Sequence, residues 1–203
     1  MYIVPEGFAC VEDCIYRAVH VNEANLVFLE TLGLRTILVL NPESPASHLR
    51  DFCSSRAIEL QHNGIQPWRA VSEWMFVGLN TFHDALKKAL NQYNYPLLVV
   101  DSSNLFVGVL RKLQRWSFSS LLAEYIAVAG PRASYHGELF LELVKVDCVF
   151  EPKDDEWPTT ADAKDLKITV AFNSTEDLPK WFLPQRNRPK PCHKLLGRRL
   201  ASS

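Results

Sequence analysis

The residues best placed to do chemistry are Asp101, Ser102, Ser103 and Asn104, which lie between the apolar run PLLVV and the helix-like stretch LFVGVLRKL. A strand, a short turn and then a helix is the arrangement in which open α/β sheets hold their ligands, at the carboxyl end of a buried strand. A carboxylate there could attack phosphorus and form an aspartyl phosphate, but that chemistry needs a second acid and a metal-binding carboxylate nearby. DSSN supplies neither, which leaves a turn-forming or helix-capping Asp as the competing role. Ser102 or Ser103 as a nucleophile would lack the Gly-x-Ser-x-Gly elbow and a His partner.

Other reactive side chains are scattered. Cys10 and Cys14 are four positions apart, with only His20 near them in sequence, whereas structural zinc needs four fixed ligands. The five cysteines are odd in number and widely spread, which fits free thiols in a reducing compartment. His20, His48, His62, His83, His136 and His193 show no ligand spacing. No metal or cofactor is expected.

The elements that must position the turn follow from hydrophobic periodicity, which alternates strand-like and helix-like segments. A strand is predicted at Cys14–Ala18, then a helix over Asn22–Thr31 ended by Gly33. Arg35–Leu40 (RTILVL) and Pro96–Asp101 (PLLVVD) are continuous apolar runs of the kind buried on both faces of a parallel sheet. Between them fall a helix over Ser47–Ser55, a strand at Ala57–Leu60 and a longer helix from about Val71 to Gln92. Helices follow from Leu105, over Ser117–Gly130 and over Gly137–Val146, and KITVAF (Lys167–Phe172) alternates as a strand, placed at a sheet edge. The expected fold is α/β, with a central sheet of four or five mostly parallel strands flanked by helices.

Composition bounds the rest. The chain has 203 residues, 47% of them hydrophobic and 22% charged, and a formal net charge of -1, so it lacks the cationic surplus of a nucleic-acid binder. No apolar run reaches the roughly 18 to 20 residues that span a bilayer, and the start MYIVPEGFACVEDC does not read as a signal peptide. A cytoplasmic protein without nucleic-acid or membrane partners is expected. Charge changes along the chain: residues 1–146 carry 12 basic and 14 acidic groups, residues 147–177 carry 3 and 9, and residues 178–203 carry 7 and 0. A domain over 1–146 and a Pro-rich, charged, partly docked extension over 147–203 are the expected division.

Three blocks, VPEGFACVEDCIYRA (Val4–Ala18), NLVFLETLGLRTILVLNPE (Asn25–Glu43) and YPLLVVDSSNLFVGVLRKLQRWSFSSLLAEY (Tyr95–Tyr125), resemble the plant and fungal atypical dual-specificity phosphatases. The likeness is strongest to the fungal oxidant-induced cell-cycle-arrest proteins, and EDLPKWFLPQR (Glu176–Arg186) resembles a C-terminal segment of longer members. The resemblance implies a Cys-phosphatase fold. In active members the buried strand ends in His-Cys-x5-Arg: a thiolate attacks phosphorus, backbone N–H groups cradle the phosphate and Arg clamps its oxygens.

This chain has Val100 in place of the His and Asp101 in place of the Cys, and its loop before Gly108 is shorter than the family's. Arg111 belongs to the downstream helix and does not replace the clamp. The region HNGIQPWRAVSEW offers Glu73 and no Asp as a general acid. Asp101 to Asn104 therefore read as a degenerate former phosphate loop, with no catalytic residue.

The implied role is a pseudophosphatase: a regulatory or scaffold subunit in a hetero-oligomer with related phosphatase-family proteins. By resemblance it would act in inositol-pyrophosphate or stress and cell-cycle signalling. An active phosphatase with unconventional residues and an anion-sensing module acting through the basic C-terminus are the alternatives. Trp68 and Trp74, beside the former general-acid region, and Trp181, paired with Trp157 in the extension, are the candidate partner contacts.

Overall fold

The computed structural model describes residues 2–64, 78–150, 161–162, 166–172 and 174–183. Its main sheet has five strands in the order β1 (Ala9–Glu12), β2 (Ile15–Ala18), β5 (Leu97–Val100), β3 (Thr36–Val39) and β4 (Glu59–His62). Strands β2, β5, β3 and β4 are parallel, and only β1 is antiparallel, closing a hairpin on β2. The mostly parallel α/β sheet is therefore present. β1 is an addition to the sequence reading, made by a two-residue turn in which Cys14 adopts a positive φ of 62°.

Alternation along the buried strands divides the core in two. Leu97 and Val99 of β5, with Leu38 of β3, pack into the larger cluster under α3 (Leu79–Ala89), α4 (Leu105–Leu113), α5 (Phe118–Ala129) and α6 (Tyr135–Leu143). Leu98 and Val100, with Ile37 and Val39, face α1 (Leu26–Glu30) and α2 (Ser47–Ser55). All four residues of β3 and of β5 are buried, as continuous apolar runs require. Helices α4 and α6 approach closely at Gly108, where a Cβ would come within 2.6 Å of Leu141 Cδ2.

The structure corrects three of the predicted elements. The long helix ends at Ala89, not Gln92, because the Asn91 side chain accepts from Tyr93 N and opens a separate short turn over Gln92–Asn94. Its expected start at Val71 lies outside the described residues. The helix expected over Gly137–Val146 stops at Leu143: Val144 turns extended, and Lys112 Nζ donates to the carbonyls of Glu142 and Val144, both at 2.8 Å. The chain then continues as strand β6 (Lys145–Phe150).

Thirdly, KITVAF is not added to the edge of the main sheet. As β8 (Lys167–Phe172) it is the middle strand of a second sheet, between β6 and β7 (Ala161–Asp162). Its Ile168 and Val170 join the larger core cluster, as do Leu178 and Phe182 further on. No helix of the described residues is long and apolar enough to cross a membrane.

Candidate functional site

Strand β5 delivers Asp101 to the carboxyl edge of the sheet, where its N–H donates to Ala18 O at 2.9 Å and continues the ladder to β2. The side chain is buried, 6% exposed, and turns inward over the start of α4. Its Oδ1 accepts from Ser103 N at 2.9 Å and from Ser103 Oγ at 2.5 Å, and its Oδ2 accepts from Phe106 N at 2.9 Å. Ser103 Oγ in turn accepts from Leu105 N at 3.3 Å, and Asn104 N donates to Asp101 O at 3.4 Å. Asn104 takes the left-handed conformation, φ 58°, that Asn tolerates better than most residues and that this tight turn requires.

One participant was not legible as a site residue in the sequence. Asn41, just beyond β3, accepts from Ser102 N through Oδ1 at 2.6 Å and donates through Nδ2 to Val19 O at 3.2 Å. His62 Nε2 donates to the Asn41 carbonyl at 2.9 Å. Asn41 thus ties the ends of β2, β3 and β4 to the 101–104 turn. The only signal for it was its place at the carboxyl end of a fully buried strand next to the switch point.

Five successive backbone donors, the N–H groups of Ser102, Ser103, Asn104, Leu105 and Phe106, therefore all have acceptors within the protein. In a phosphate loop such donors and the helix N-terminus converge on an external anion. Here the Asp101 side chain takes two of them, and Asn41, the Asp101 carbonyl and Ser103 Oγ take the other three. Burial pushes the Asp101 carboxyl above the ordinary range, and the hydrogen bonds from Ser103 and Phe106 pull the other way, with burial the larger effect.

Replacing Asp101 with Ala would leave Ser103 N and Phe106 N without acceptors in a buried turn. It is expected to destabilise the fold by about 2 kcal/mol, read by chemical denaturation. A more stable Asp101→Ala protein would show that the cost of burying the charge exceeds what its donors return.

Arg111 faces away from this turn. Its Nε and Nη2 hold the two oxygens of Glu124 at 2.8 and 3.1 Å, and its Nη1 donates to Glu12 and to Gln114 Oε1. Nη2 also donates to Val11 O at 3.1 Å, and the guanidinium lies 4.4 Å from the centroid of the Trp116 ring. These partners leave it no capacity for a phosphate. Arg17 Nε is buried without a hydrogen-bond partner among the described residues, and its pKa is lowered, chiefly by burial.

Burial raises the pKa of Cys53 to about 11 and also raises that of Cys14, and among the described residues no group of three or more His, Cys, Asp or Glu could hold a metal. Trp68, Trp74 and Glu73 lie outside the described residues, as does Trp157. Trp181 is half-buried against the larger core cluster, with its indole enclosed and in hydrogen-bonding reach of the Tyr95 side chain.

A four-stranded parallel core with strand, turn and helix at its switch point is the frame of the Cys-phosphatases, and the comparisons agree. Residues 2–162 match the model of the tyrosine phosphatase family, and the chain belongs to that family. It is 36% identical over 165 residues to a protein of Dictyostelium discoideum named probable tyrosine-protein phosphatase DG1060, covering 77% of this chain and 96% of that protein. It is 29% identical over 151 residues to inositol diphosphatase DSP4 of Arabidopsis thaliana, covering 72% and 75% of the two chains. The core catalytic domain of the PP-IP phosphatase SIW14 of S. cerevisiae, solved in complex with citrate, superposes with a TM-score of 0.63 at 31% identity, covering 70% of this chain and 88% of that one. Both the atypical phosphatase affinity and the fold expected from the sequence are thereby established.

Proposed function

We propose that this protein is a catalytically inactive member of the family, a cytoplasmic pseudophosphatase that acts as a regulatory or scaffold subunit with related family members. The observation that carries this reading is the self-satisfied turn: every N–H from Ser102 to Phe106 is bonded within the protein, two of them to the Asp101 side chain. A phosphate brought to Asp101 would meet a like charge at short range and find no free donors. There is also no thiol at the end of β5 to attack it. The names carried by DSP4 and SIW14 support inositol-pyrophosphate signalling as the setting.

The test is direct. The purified chain is expected to hydrolyse neither an aryl phosphate nor an inositol pyrophosphate above a buffer control, and to gain no thermal protection from phosphate or citrate. Recovery of related phosphatases with the protein from its native host would support the subunit role, with Trp68, Trp74 and Trp181 the first positions to replace with Ala. A protein that runs alone in native lysate would overturn it.

Membership of a family whose relatives carry phosphatase names favours a second reading, an active enzyme using other residues. Turnover lost with Asp101→Ala would establish that reading, and turnover that survives it would place the chemistry elsewhere in the chain.

A further inference from the structure

On the face of the sheet opposite α4 and α5, helices α1 and α2 border a cleft of about 690 Å³. Its lining is apolar at Leu26, Val27 and Phe52 and acidic at Glu23, Glu30 and Asp51. Glu30 is already paired with Arg56 at 2.9 Å, and the same guanidinium lies 4.5 Å from the centroid of the Phe52 ring. The other basic group in the lining, His48, contacts Val21 O through Nε2 at 3.3 Å. Glu23 and Asp51 have no ion pair among the described residues, and Val27 is 57% exposed beside them. A mostly polar cleft with unpaired carboxylates beside the exposed Val27 suits a cationic segment that also carries aliphatic side chains.

The chain has such a segment. Residues 184–203 contain six Lys or Arg and no Asp or Glu, with Leu195 and Leu196 set between Lys194 and Arg198. The preceding residues, Leu178 to Leu183, pack on the larger cluster across the sheet from the cleft, so the segment must pass around the end of the sheet where Asp177 lies. Asp177 O accepts from Gln92 N at 2.9 Å, and the next residue, Tyr93, accepts from Arg35 Nη1 through its carbonyl at 2.9 Å. Arg35 lies two positions beyond Gly33, where the turn after α1 ends. From residue 183 to Leu195 an extended chain spans up to about 40 Å, the diameter of a domain of this size. Single exposed ion pairs contribute little, but a tethered segment meets its site at millimolar effective concentration, so several weak contacts suffice.

We propose that the basic C-terminal segment of this same chain, residues 184–203, seats in the α1–α2 cleft, its leucines on Leu26 and Val27 and its cations on Glu23 and Asp51. A seated segment gives its cations to these carboxylates and withholds them from anions in solution. The inference stands apart from whether the protein turns over phosphate.

Zero-length carbodiimide cross-linking of the full-length protein, followed by peptide mass spectrometry, tests it, because Lys190 and Lys194 are the only lysines of the segment. The expected product is a monomer in which one of them is joined to Glu23 or Asp51. Its yield should fall severalfold at high salt, where exposed charges are screened, and severalfold again in Asp51→Lys. Asp51 is exposed and unpaired, so that variant should fold as the parent does. Three results would overturn the proposal: coupling only between two chains, which would assign the cleft to a second copy; coupling spread evenly over other surface carboxylates; or a yield unchanged by Asp51→Lys.

Discussion

Replacing Arg111 with Ala is expected to destabilise the protein by about 3 kcal/mol or more, the range found when one partner of a buried ion pair is removed. The side chain is 6% exposed and all its N–H groups are engaged: Glu124 on α5, Glu12 and Val11 on β1, and Gln114 at the end of α4. Gln114 Nε2 also donates to Glu12 Oε1 at 2.8 Å, so the group is one network joining the hairpin to two helices. Glu12 and Glu124 retain 18% and 26% side-chain exposure and can partly rehydrate, which holds the loss near the lower end of the range.

For a chain of this length the unfolding midpoint should drop by about 6 to 12 °C. Arg111→Lys should recover only part of it, because an ammonium cannot serve Glu12 and Glu124 in the same plane or stack on Trp116. If Arg111→Ala left the midpoint unchanged but abolished protection by phosphate, Arg111 would be an anion ligand and not a structural cation.

Phe182→Ala is expected to cost about 3 to 4 kcal/mol, as for other fully buried aromatics. Phe182 is 1% exposed, its N–H donates to Pro179 O at 3.0 Å, and its ring meets Trp181 edge-on at 5.8 Å. Leu178, 2% exposed, enters the same core cluster. The segment is anchored by Gln92, whose N–H and Nε2 donate to Asp177 O and Glu176 O at 2.9 and 2.8 Å. An unfolding free energy within about 1 kcal/mol of the parent's would mean that residues 174–183 are an appendage. The expected loss would instead make them part of the core that β8 extends.

The sequence alone was sufficient for the parallel strands at Arg35–Leu40 and Pro96–Asp101, because a strand buried on both faces must be apolar throughout. It also placed Asp101 at the carboxyl end of the second of these strands, directly before a turn and a helix. The helix ends at Gly33 and Gly130 were equally local, both at positive φ where residues with a Cβ are strained.

What the tertiary structure decided are pairings between residues far apart. Arg111 meets Glu12 across 99 positions, Asn41 meets Ser102 across 61, and Gln92 receives the chain at Glu176 across 84. KVDCVF became a strand although it follows directly on a helix, because β8 offered a parallel partner for all six of its residues. Local periodicity specifies which face of an element is buried, since that depends only on the geometry of the backbone. Which polar group satisfies another inside the fold depends on where the sheet and its crossovers bring the two together, and Asp101 became its own turn's anion only because Ser103 and Phe106 fold back around it.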